Sequence, residues 1–454
     1  MARLIASLRG KIHLSYSCYD ILGERESFPS SLLLQAFRLI KGKSRLDYSD
    51  LINSFKETRG FFPTQKEKPL DPTEWWLEKI VQDQGLLNGV EAVTVNFPAL
   101  GQGIKAFTQR KDLYSSPYPY EGVIHAREKS SGKIPPPPLS IEKTVFSASR
   151  LECLAFCPFK YFMEYVLGVR KPEIIEYDPS RWLDPLNWGT LVHEVFFEFM
   201  TEIKKRGEKP QKEKHRTLIR DIAENLIQSF KKKIPPPSED VFLLQKRELM
   251  EALDIFLEVE SKRDEHIKPI LFEVGFGTGT DQGDSTDKPI LIEITPNISI
   301  LLRGRIDRID RVGDGVYKVI DYKSGRSSSY ERIKCFGRGK ALQHALYSLA
   351  AEKILKTLGK DPAPTVKEGS YYFPTRKGEG REITFPSFDR LEFKSLLAEL
   401  LAVIITGNFV PHPDAICEYC DLAPLCGEAS SRAKEKKKKG VEEYSIFERL
   451  KDFD

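Results

Sequence analysis

Two short segments near the middle of the chain combine carboxylates and a lysine in a pattern that suits metal-assisted hydrolysis. Residues 303–310 have the sequence RGRIDRID and residues 319–325 have the sequence VIDYKSG, with Gly-Asp-Gly at 313–315 between them. Both segments alternate as strands do, and the intervening residues are typical of a hairpin turn. We therefore expect one antiparallel hairpin.

The register of this hairpin decides which side chains meet. With 313–315 as the loop, Val312 pairs with Val316 and Asp307 lies opposite Asp321, while Lys323 shares their face. Carboxylates that face each other at about 5 Å repel unless a cation lies between them, and oxygen ligands of this kind suit Mg²⁺ or Mn²⁺. Taken alone, the Asp-x-Lys pattern also fits an exposed strand edge with a surface ion pair.

Helical patterns flank the hairpin on both sides. Residues 187–200 have apolar positions at helical spacing, with His193 at the border of the apolar stripe. Residues 340–350 form a second helical pattern, in which Gln343 and Tyr347 lie four apart and share a face. By themselves, these features fit a core histidine and an ordinary helix surface as well as a metal ligand and a substrate contact.

The order of the motifs carries a family resemblance. They are Gly-Thr-Leu-Val-His at 189–193, Glu273 with Phe276, Gly-Arg-Ile-Asp-Arg at 304–308, Asp-Tyr-Lys at 321–323 and Gln343-x-x-x-Tyr347. In this order they resemble the motifs of the RecB/AddB-type PD-(D/E)XK nucleases. The resemblance implies an α/β fold with a restriction-endonuclease-like core, in which helices flank a central mixed sheet.

The resemblance also implies roles for these residues. It assigns metal binding to the side chains of His193, Asp307 and Asp321 and to the main-chain carbonyl of Tyr322, and water activation to Lys323. It assigns substrate positioning to Gln343 and Tyr347, whereas Glu273 matches a less defined acidic position. Such a site hydrolyses a phosphodiester with metal-activated water and requires no covalent enzyme intermediate.

Four cysteines form a second candidate site. Cys417, Cys420 and Cys426 have the spacing of metal ligands, and Cys157 is the best candidate for the fourth thiolate, with Cys153 as a possible substitute. Structural Zn²⁺ fits four thiolates. The resemblance to AddB-type nucleases instead implies a [4Fe–4S] cluster that joins the two ends of the domain.

Local signals place Cys157 at a break in the chain. Residues 149–152 (SRLE) match a capping box that begins a helix, and Pro158 suits a helix boundary. We expect Cys18 and Cys335 to have no ligand role. A disulfide framework is disfavoured because nothing in the sequence indicates export.

Composition sets limits and adds one basic segment. The 454 residues are enough for two to three domains, and 70 basic against 66 acidic residues leave a net charge of +4, which does not by itself indicate DNA binding. Five basic residues between the Asp-Tyr-Lys and Gln-x-x-x-Tyr motifs suit phosphate contacts or a solvated loop: Arg326, Arg332, Lys334, Arg338 and Lys340.

Composition shifts predict the domain boundaries. Residues 1–140 form an N-terminal region that ends in a proline-rich linker at about 126–140, and the nuclease domain covers 144–430 with a helical insertion at 200–265. Residues 431–454 form a solvated basic tail. No segment has the length and apolarity of a membrane span or signal peptide, so the prediction is a soluble, cytoplasmic protein.

The N-terminal region resembles the segment that joins the helicase-like part of AddB-type proteins to their nuclease. The resemblance implies that the chain corresponds to the C-terminal portion of a longer helicase-nuclease subunit. Gly42-Lys43-Ser44 lacks the earlier glycine of a phosphate-binding loop, because Phe37 stands there, so we expect no ATP hydrolysis by this chain alone. A helicase of the AddA or UvrD type, or the missing N-terminal part, is the expected partner.

The function implied is metal-dependent cleavage of DNA, as a single-strand exonuclease that acts with a helicase in double-strand-break repair. Two alternatives remain at this stage. One is a non-catalytic DNA-binding module with a structural cluster, and the other is a nuclease of CRISPR adaptation, whose members share the same site and cluster.

Overall fold

The computed structural model describes residues 10–11, 13–20, 25–55, 94–95, 97–112, 119–124, 141–171, 178–279 and 284–453. The chain divides into two compact units, 1–104 and 105–454. The first contains a two-stranded hairpin and two helices, and the second contains all of the predicted site residues. The predicted linker at 126–140 lies outside the described residues.

A five-stranded mixed sheet forms the centre of the second unit. Its order is β10-β9-β8-β7-β4; β8 and β9 are parallel, and the other neighbours are antiparallel. A smaller sheet has the order β3-β6-β5. The described strands are Tyr19–Asp20 (β1), Arg25–Glu26 (β2), Val145–Phe146 (β3), Lys268–Phe276 (β4), Ile290–Thr295 (β5), Ile298–Leu302 (β6), Gly304–Gly313 (β7), Val316–Tyr322 (β8), Thr365–Phe373 (β9) and Arg381–Phe385 (β10).

Helices cover both faces of this sheet, so the predicted fold class is confirmed. The described helices are Ser31–Lys41 (α1), Tyr48–Asn53 (α2), Pro98–Lys111 (α3), Ala148–Phe156 (α4), Pro158–Tyr161 (α5), Pro185–Arg206 (α6), Lys212–Lys233 (α7), Glu239–Ser261 (α8), Gln343–Thr357 (α9), Arg390–Thr406 (α10), Ala423–Cys426 (α11), Ala429–Lys438 (α12) and Ile446–Arg449 (α13). Apolar residues of α6, α7 and α8 pack with Ile320 and Tyr322 of β8 on one face. Those of α4, α9 and α10 pack with Tyr317 and Val319 on the other.

The central hairpin differs from the prediction at its turn. Gly313 pairs with Val316, so the turn has two residues instead of three, and the pairing of Val312 with Val316 was wrong. A bulge between Arg311 and Gly313 adds the residue that the shorter turn removes. The last ladder pair before the site, Arg308 with Ile320, therefore has the register that the three-residue loop would have given.

Local sequence explains why α6 begins and ends where it does. Asp184 caps the helix by accepting a hydrogen bond of 2.8 Å from the amide of Asn187, and Pro185 occupies the first helical position. Gly207 ends the helix in the left-handed conformation, with φ of 66°. The apolar stripe, which includes Val192 and Phe196, is fully buried against the sheet, and this fixes the face on which His193 lies.

The segment after the last cysteine is folded rather than solvated. Residues 429–438 form α12, and Ala429, Ala433 and Lys436 on one side of this helix are buried. Lys436 is 0% exposed and forms an ion pair of 2.7 Å with Glu121. The expectation of a solvated tail was wrong because the many lysines of this segment conceal a buried stripe at helical spacing.

Residues 119–124, which precede the predicted nuclease domain, pack against its last part. The amide of Phe409 donates to the carbonyl of Gly122 at 2.8 Å, and the amide of Ile124 donates to the carbonyl of Gly407 at 3.0 Å. A Cβ atom at Gly122 would lie 2.2 Å from the carbonyl oxygen of Phe409, so only glycine fits this approach. No helix among the described residues is long and apolar enough to cross a membrane.

Candidate metal centre

Asp307 and Asp321 lie at the end of the central hairpin. They follow the ladder pair Arg308–Ile320 on neighbouring strands, so the register brings the two carboxylates together as predicted. Both residues are buried, with 7% and 6% of their surface exposed. Burial raises the pKa of Asp307 well above its usual value, and the neighbouring Asp321 carboxylate raises it further. Such a pair favours a cation between the carboxylates.

His193 brings an imidazole nitrogen to the same place. Its Nδ1 lies 3.6 Å from Oδ1 of Asp307 and 3.4 Å from Oε1 of Glu273, and the ligand atoms of these three residues all lie within 4.8 Å of one another. Burial lowers the pKa of His193, but the carboxylates of Asp307 and Glu273 outweigh this and raise it to about 9. One nitrogen and several carboxylate oxygens form a donor set that fits a divalent cation such as Mn²⁺ or Mg²⁺.

Glu273, the weakest match in the sequence, contributes to this cluster. It lies in β4 between Phe272 and Val274, which pair with Arg308 and Ile306 of β7. Its φ of 47° is in the left-handed region, which a residue with a Cβ atom rarely adopts. Backbone strain of this kind persists where the surroundings over-determine it, commonly at functional sites.

A second group of side chains surrounds Asp321. Nζ of Lys323 lies 2.6 Å from Oδ2 of Asp321 and donates to Oε1 of Gln343 at 2.9 Å. Nε2 of Gln343 donates to Oδ1 of Asp321 at 2.5 Å, which closes a ring of three side chains. Burial alone would lower the pKa of Lys323, but the Asp321 carboxylate raises it above the ordinary value, so this lysine carries its proton at neutral pH.

Tyr347 lies one turn beyond Gln343 on α9 and is buried beside β7. A Cβ atom at Gly304 would lie 2.9 Å from the hydroxyl oxygen of Tyr347 and 2.9 Å from the ring of Phe276. The glycine that opens the Gly-Arg-Ile-Asp-Arg motif is therefore needed for this close approach. Burial raises the pKa of Tyr347 to about 12, and Asp321 raises it in the same direction.

Glu152 has a role that the sequence did not reveal. Helix α4 is capped by Ser147, whose hydroxyl accepts from the amide of Arg150 at 3.2 Å, so the capping box predicted at 149–152 was wrong. Oε1 of Glu152 instead accepts hydrogen bonds from the amides of Leu342 and Gln343, at 2.7 and 3.1 Å. No local signal could reveal this contact, because its partners lie about 190 positions downstream.

The four predicted cysteine ligands line one pocket. Cys157 has extended backbone angles between α4 and α5, as expected for a break before Pro158. It lines this pocket together with Cys417, Cys420 and Cys426. Cys153, the possible substitute, is not among the lining residues and packs at the edge of the main core. The thiols thus come together from the two ends of the domain, as a shared ligand set requires.

A tight turn with basic side chains connects this pocket to Gln343. Gly337, Arg338 and Gly339 all have positive φ, of 54°, 58° and 86°. A Cβ atom at Gly339 would lie 2.8 Å from Cβ of Ala155, so the turn packs closely against α4. Arg338 and Lys340 are exposed, and the ammonium of Lys340 lies 5.7 Å from the ring of Phe156. The other predicted phosphate contacts, at 326, 332 and 334, are also exposed.

Comparison with known protein families agrees with this geometry. Residues 145–427 match the PD-(D/E)XK nuclease superfamily, and this match covers more than half of the chain. The chain therefore belongs to that superfamily, and the resemblance predicted from the motifs is confirmed.

Three relatives are each named as a subunit of an ATP-dependent helicase/deoxyribonuclease, the one known as AddB. The chain is 28% identical to the relative from Acetivibrio thermocellus over 278 residues, which cover 56% of this chain and 22% of the relative. It is 30% identical to the relative from Moorella thermoacetica over 239 residues, covering 51% and 19%. Identity to the relative from Natranaerobius thermophilus is 32% over 217 residues, covering 46% and 17%. The chain thus spans about a fifth of the length of the relatives that it matches.

Proposed function

We propose that this chain is a metal-dependent deoxyribonuclease that degrades single-stranded DNA from an end, together with a helicase, in the repair of double-strand breaks. The observation that carries the proposal is the convergence of His193, Glu273 and Asp307, beside the ring formed by Asp321, Lys323 and Gln343. The name of the relatives supports DNA as the substrate and a helicase as the partner.

The residues of the site divide the work of hydrolysis. His193, Glu273, Asp307 and Asp321 hold a divalent cation, and the main-chain carbonyl of Tyr322 is a further ligand in this proposal. When bound, the cation supplies positive charge that favours deprotonation of the attacking water and offsets the negative charge that builds on the phosphate.

Lys323 acts as a cation and not as a base. Because its pKa is raised, the ammonium keeps its protons and presents a fixed positive charge to the scissile phosphate and the attacking water. Gln343 holds this ammonium and the Asp321 carboxylate through its two amide atoms. Tyr347 helps to position the substrate beside this ring.

The DNA strand reaches the site across the basic turn in this proposal. Arg338 and Lys340 precede Gln343 by five and three residues and stand on the exposed surface. Lysine and arginine side chains hold phosphates without regard to sequence, which suits an enzyme that degrades DNA of any sequence.

A [4Fe–4S] cluster bound by the four cysteines belongs to the same proposal. All four thiols line one pocket, but no three of the cysteine sulfurs in the described part of the chain lie within 4.8 Å of one another. Zinc bonds of 2.3 Å would place tetrahedral sulfurs about 3.8 Å apart. The wider arrangement supports a larger group over a single Zn²⁺ ion.

The test is cleavage of end-labelled single-stranded DNA with Mg²⁺ or Mn²⁺. We expect the wild type to shorten linear strands and to leave circular strands intact. Asp321→Asn is expected to be inactive, whereas Asp314→Asn, which alters a fully exposed aspartate in the hairpin turn, should retain activity. A folded wild type that binds single-stranded DNA but cleaves it with neither metal would contradict the catalytic proposal and favour a DNA-binding module.

A further inference from the structure

The N-terminus of α9 is capped by a residue from a distant part of the chain. The residue before the helix, Leu342, makes no side-chain cap. Oε1 of Glu152 instead accepts from the amides of Leu342 and Gln343 at 2.7 and 3.1 Å. These are among the orphan amides at the start of a helix, and a carboxylate there also meets the positive end of the helix dipole.

The first residue of this helix is part of the candidate active site. Gln343 accepts from Lys323 at 2.9 Å and donates to Asp321 at 2.5 Å. Its side chain reaches both groups only if its own backbone is held at the right place. The carboxylate of Glu152 binds that backbone directly through the amide of Gln343.

We infer that Glu152 is a positioning residue for the nuclease reaction, which acts through Gln343 on Asp321 and Lys323. This inference rests on the proposed function. Glu152 does not contact the metal-binding side chains in the structure. Its part is to fix the start of α9, so that the amide of Gln343 meets both partners at once.

Further contacts between α4 and the preceding turn make this support rigid. Gly339 packs so closely on Ala155 that a Cβ atom there would lie 2.8 Å away, and Lys340 stacks over Phe156. Helix α4 therefore touches the segment 339–343 at three successive points. Because Cys157 follows directly after α4, the same helix joins the cysteine pocket to the start of α9.

The test compares Glu152→Ala with Glu152→Gln in cleavage of single-stranded DNA. Alanine removes the acceptor, and we expect kcat to fall on the order of 10²-fold with little change in KM, because a displacement of about 1 Å has effects of that size. Glutamine keeps an acceptor oxygen and should restore much of kcat. Hydrogen exchange in residues 342–347 should be faster in the alanine variant, and this measurement does not depend on activity.

A control with the same chemistry exists on the same helix. Oε1 of Glu352 accepts from the amide of Val366 at 2.8 Å, far from the catalytic side chains. Glu352→Ala is expected to lower the melting temperature without lowering kcat. Loss of kcat in both variants in proportion to their loss of stability would overturn the inference.

A double-mutant cycle tests whether Glu152 works through Gln343. If it does, Glu152→Ala should lower kcat far less in a Gln343→Ala background than in the wild type. Fully additive effects would overturn the inference, even if each single variant is impaired. A wild type that does not cleave DNA would instead be a failure of the proposed function, so the two failures are distinguishable.

Discussion

The backbone amide of Tyr322 donates a hydrogen bond of 2.6 Å to Oδ2 of Asp307, from one strand of the central hairpin to the other. This contact occupies one carboxylate oxygen and leaves Oδ1 facing His193, at 3.6 Å from Nδ1. The orientation of Asp307 is thus fixed by the protein before any cation binds. Such preorganisation is what a metal site that must hold a reacting geometry requires.

Removal of one charge from the aspartate pair should stabilise the metal-free protein. Asparagine at position 307 keeps an acceptor for the Tyr322 amide but relieves the repulsion from Asp321 that raises the pKa of Asp307. We expect Asp307→Asn to melt at a higher temperature than the wild type in EDTA.

Addition of Mn²⁺ or Mg²⁺ should reverse this order. A cation at about 100 times its Kd stabilises the wild type by about 2.7 kcal/mol, whereas Asp307→Asn should gain much less. Thermal unfolding with and without metal measures both effects. Equal stabilisation of the two proteins by the cation would show that Asp307 is not a ligand.

The basic turn should contribute to DNA affinity through phosphates. For single strands, each phosphate contact contributes about 0.7 to the slope of log affinity against log salt. The double variant Arg338→Ala/Lys340→Ala is therefore expected to lower that slope by up to about 1.4. Fluorescence anisotropy with a labelled oligonucleotide in EDTA measures binding without cleavage.

The matched control is Lys356→Ala, at the far end of α9. Lys356 is also exposed, but it lies about 20 Å along the helix from Gln343. The control should leave the slope unchanged. If the double variant and the control behave alike, the turn does not contact the strand.

The sequence predicted the central hairpin and its functional residues, but not its turn. The alternating pattern and the Gly-Asp-Gly segment were sufficient to pair Asp307 with Asp321. The two-residue turn and the bulge near Val312 have compensating effects on register, so the error at the turn did not displace the site. Parity is what the active site needs, and side-chain alternation sets it.

Non-local contacts account for what the sequence could not reveal. The cap that Glu152 provides and the ion pair of Lys436 with Glu121 join residues that are about 190 and 315 positions apart. The left-handed conformation of Glu273 also depends on the strand beside it, because its residue type does not favour it. By contrast, the buried stripe of α12 was visible at helical spacing and was missed because lysines surround it.

The cysteine pocket makes a prediction about colour and iron. Protein purified without oxygen should be brown, with a broad absorbance near ~400 nm and about four irons per chain. Cys420→Ser should lose most of the iron, whereas Cys335→Ser, which lies outside the pocket, should keep it. Colourless protein with one zinc per chain would favour the zinc alternative.

His344 should make the stability depend on pH. It is buried, its ring stacks on Phe385 at 4.3 Å, and neither ring nitrogen has a hydrogen-bond partner among the described residues. Burial lowers its pKa from 6.5 to about 4. Between these values the unfolded chain binds the proton and the folded chain does not, so stability falls as the pH is lowered through this window.

The expected loss is about 3 kcal/mol between pH 6.5 and pH 4, since each pH unit contributes about 1.4 kcal/mol. His344→Phe keeps a ring between the same aromatic neighbours and removes the titrating group. Urea unfolding of both proteins at several pH values measures the difference. An unchanged pH dependence in the variant would show that other groups are responsible.

The ion pair between Glu121 and Lys436 should be essential to the stability of the second unit. Both side chains are buried, and removal of one partner leaves an uncompensated charge, which costs about 3–5 kcal/mol. We expect Lys436→Ala to lower the free energy of unfolding by this amount. Lys438→Ala, which breaks an exposed pair with Glu435, should cost less than about 1 kcal/mol.

A double replacement separates charge from packing at this pair. Glu121→Leu/Lys436→Met removes both charges and keeps apolar volume, so it should be more stable than Lys436→Ala. A fragment that begins at residue 141 lacks Glu121 and leaves Lys436 without its carboxylate, so it should unfold at a lower urea concentration than a chain that begins at residue 105. Equal stability of the two would show that the nuclease domain begins, as the composition predicted, near residue 144 and needs nothing from residues 119–124.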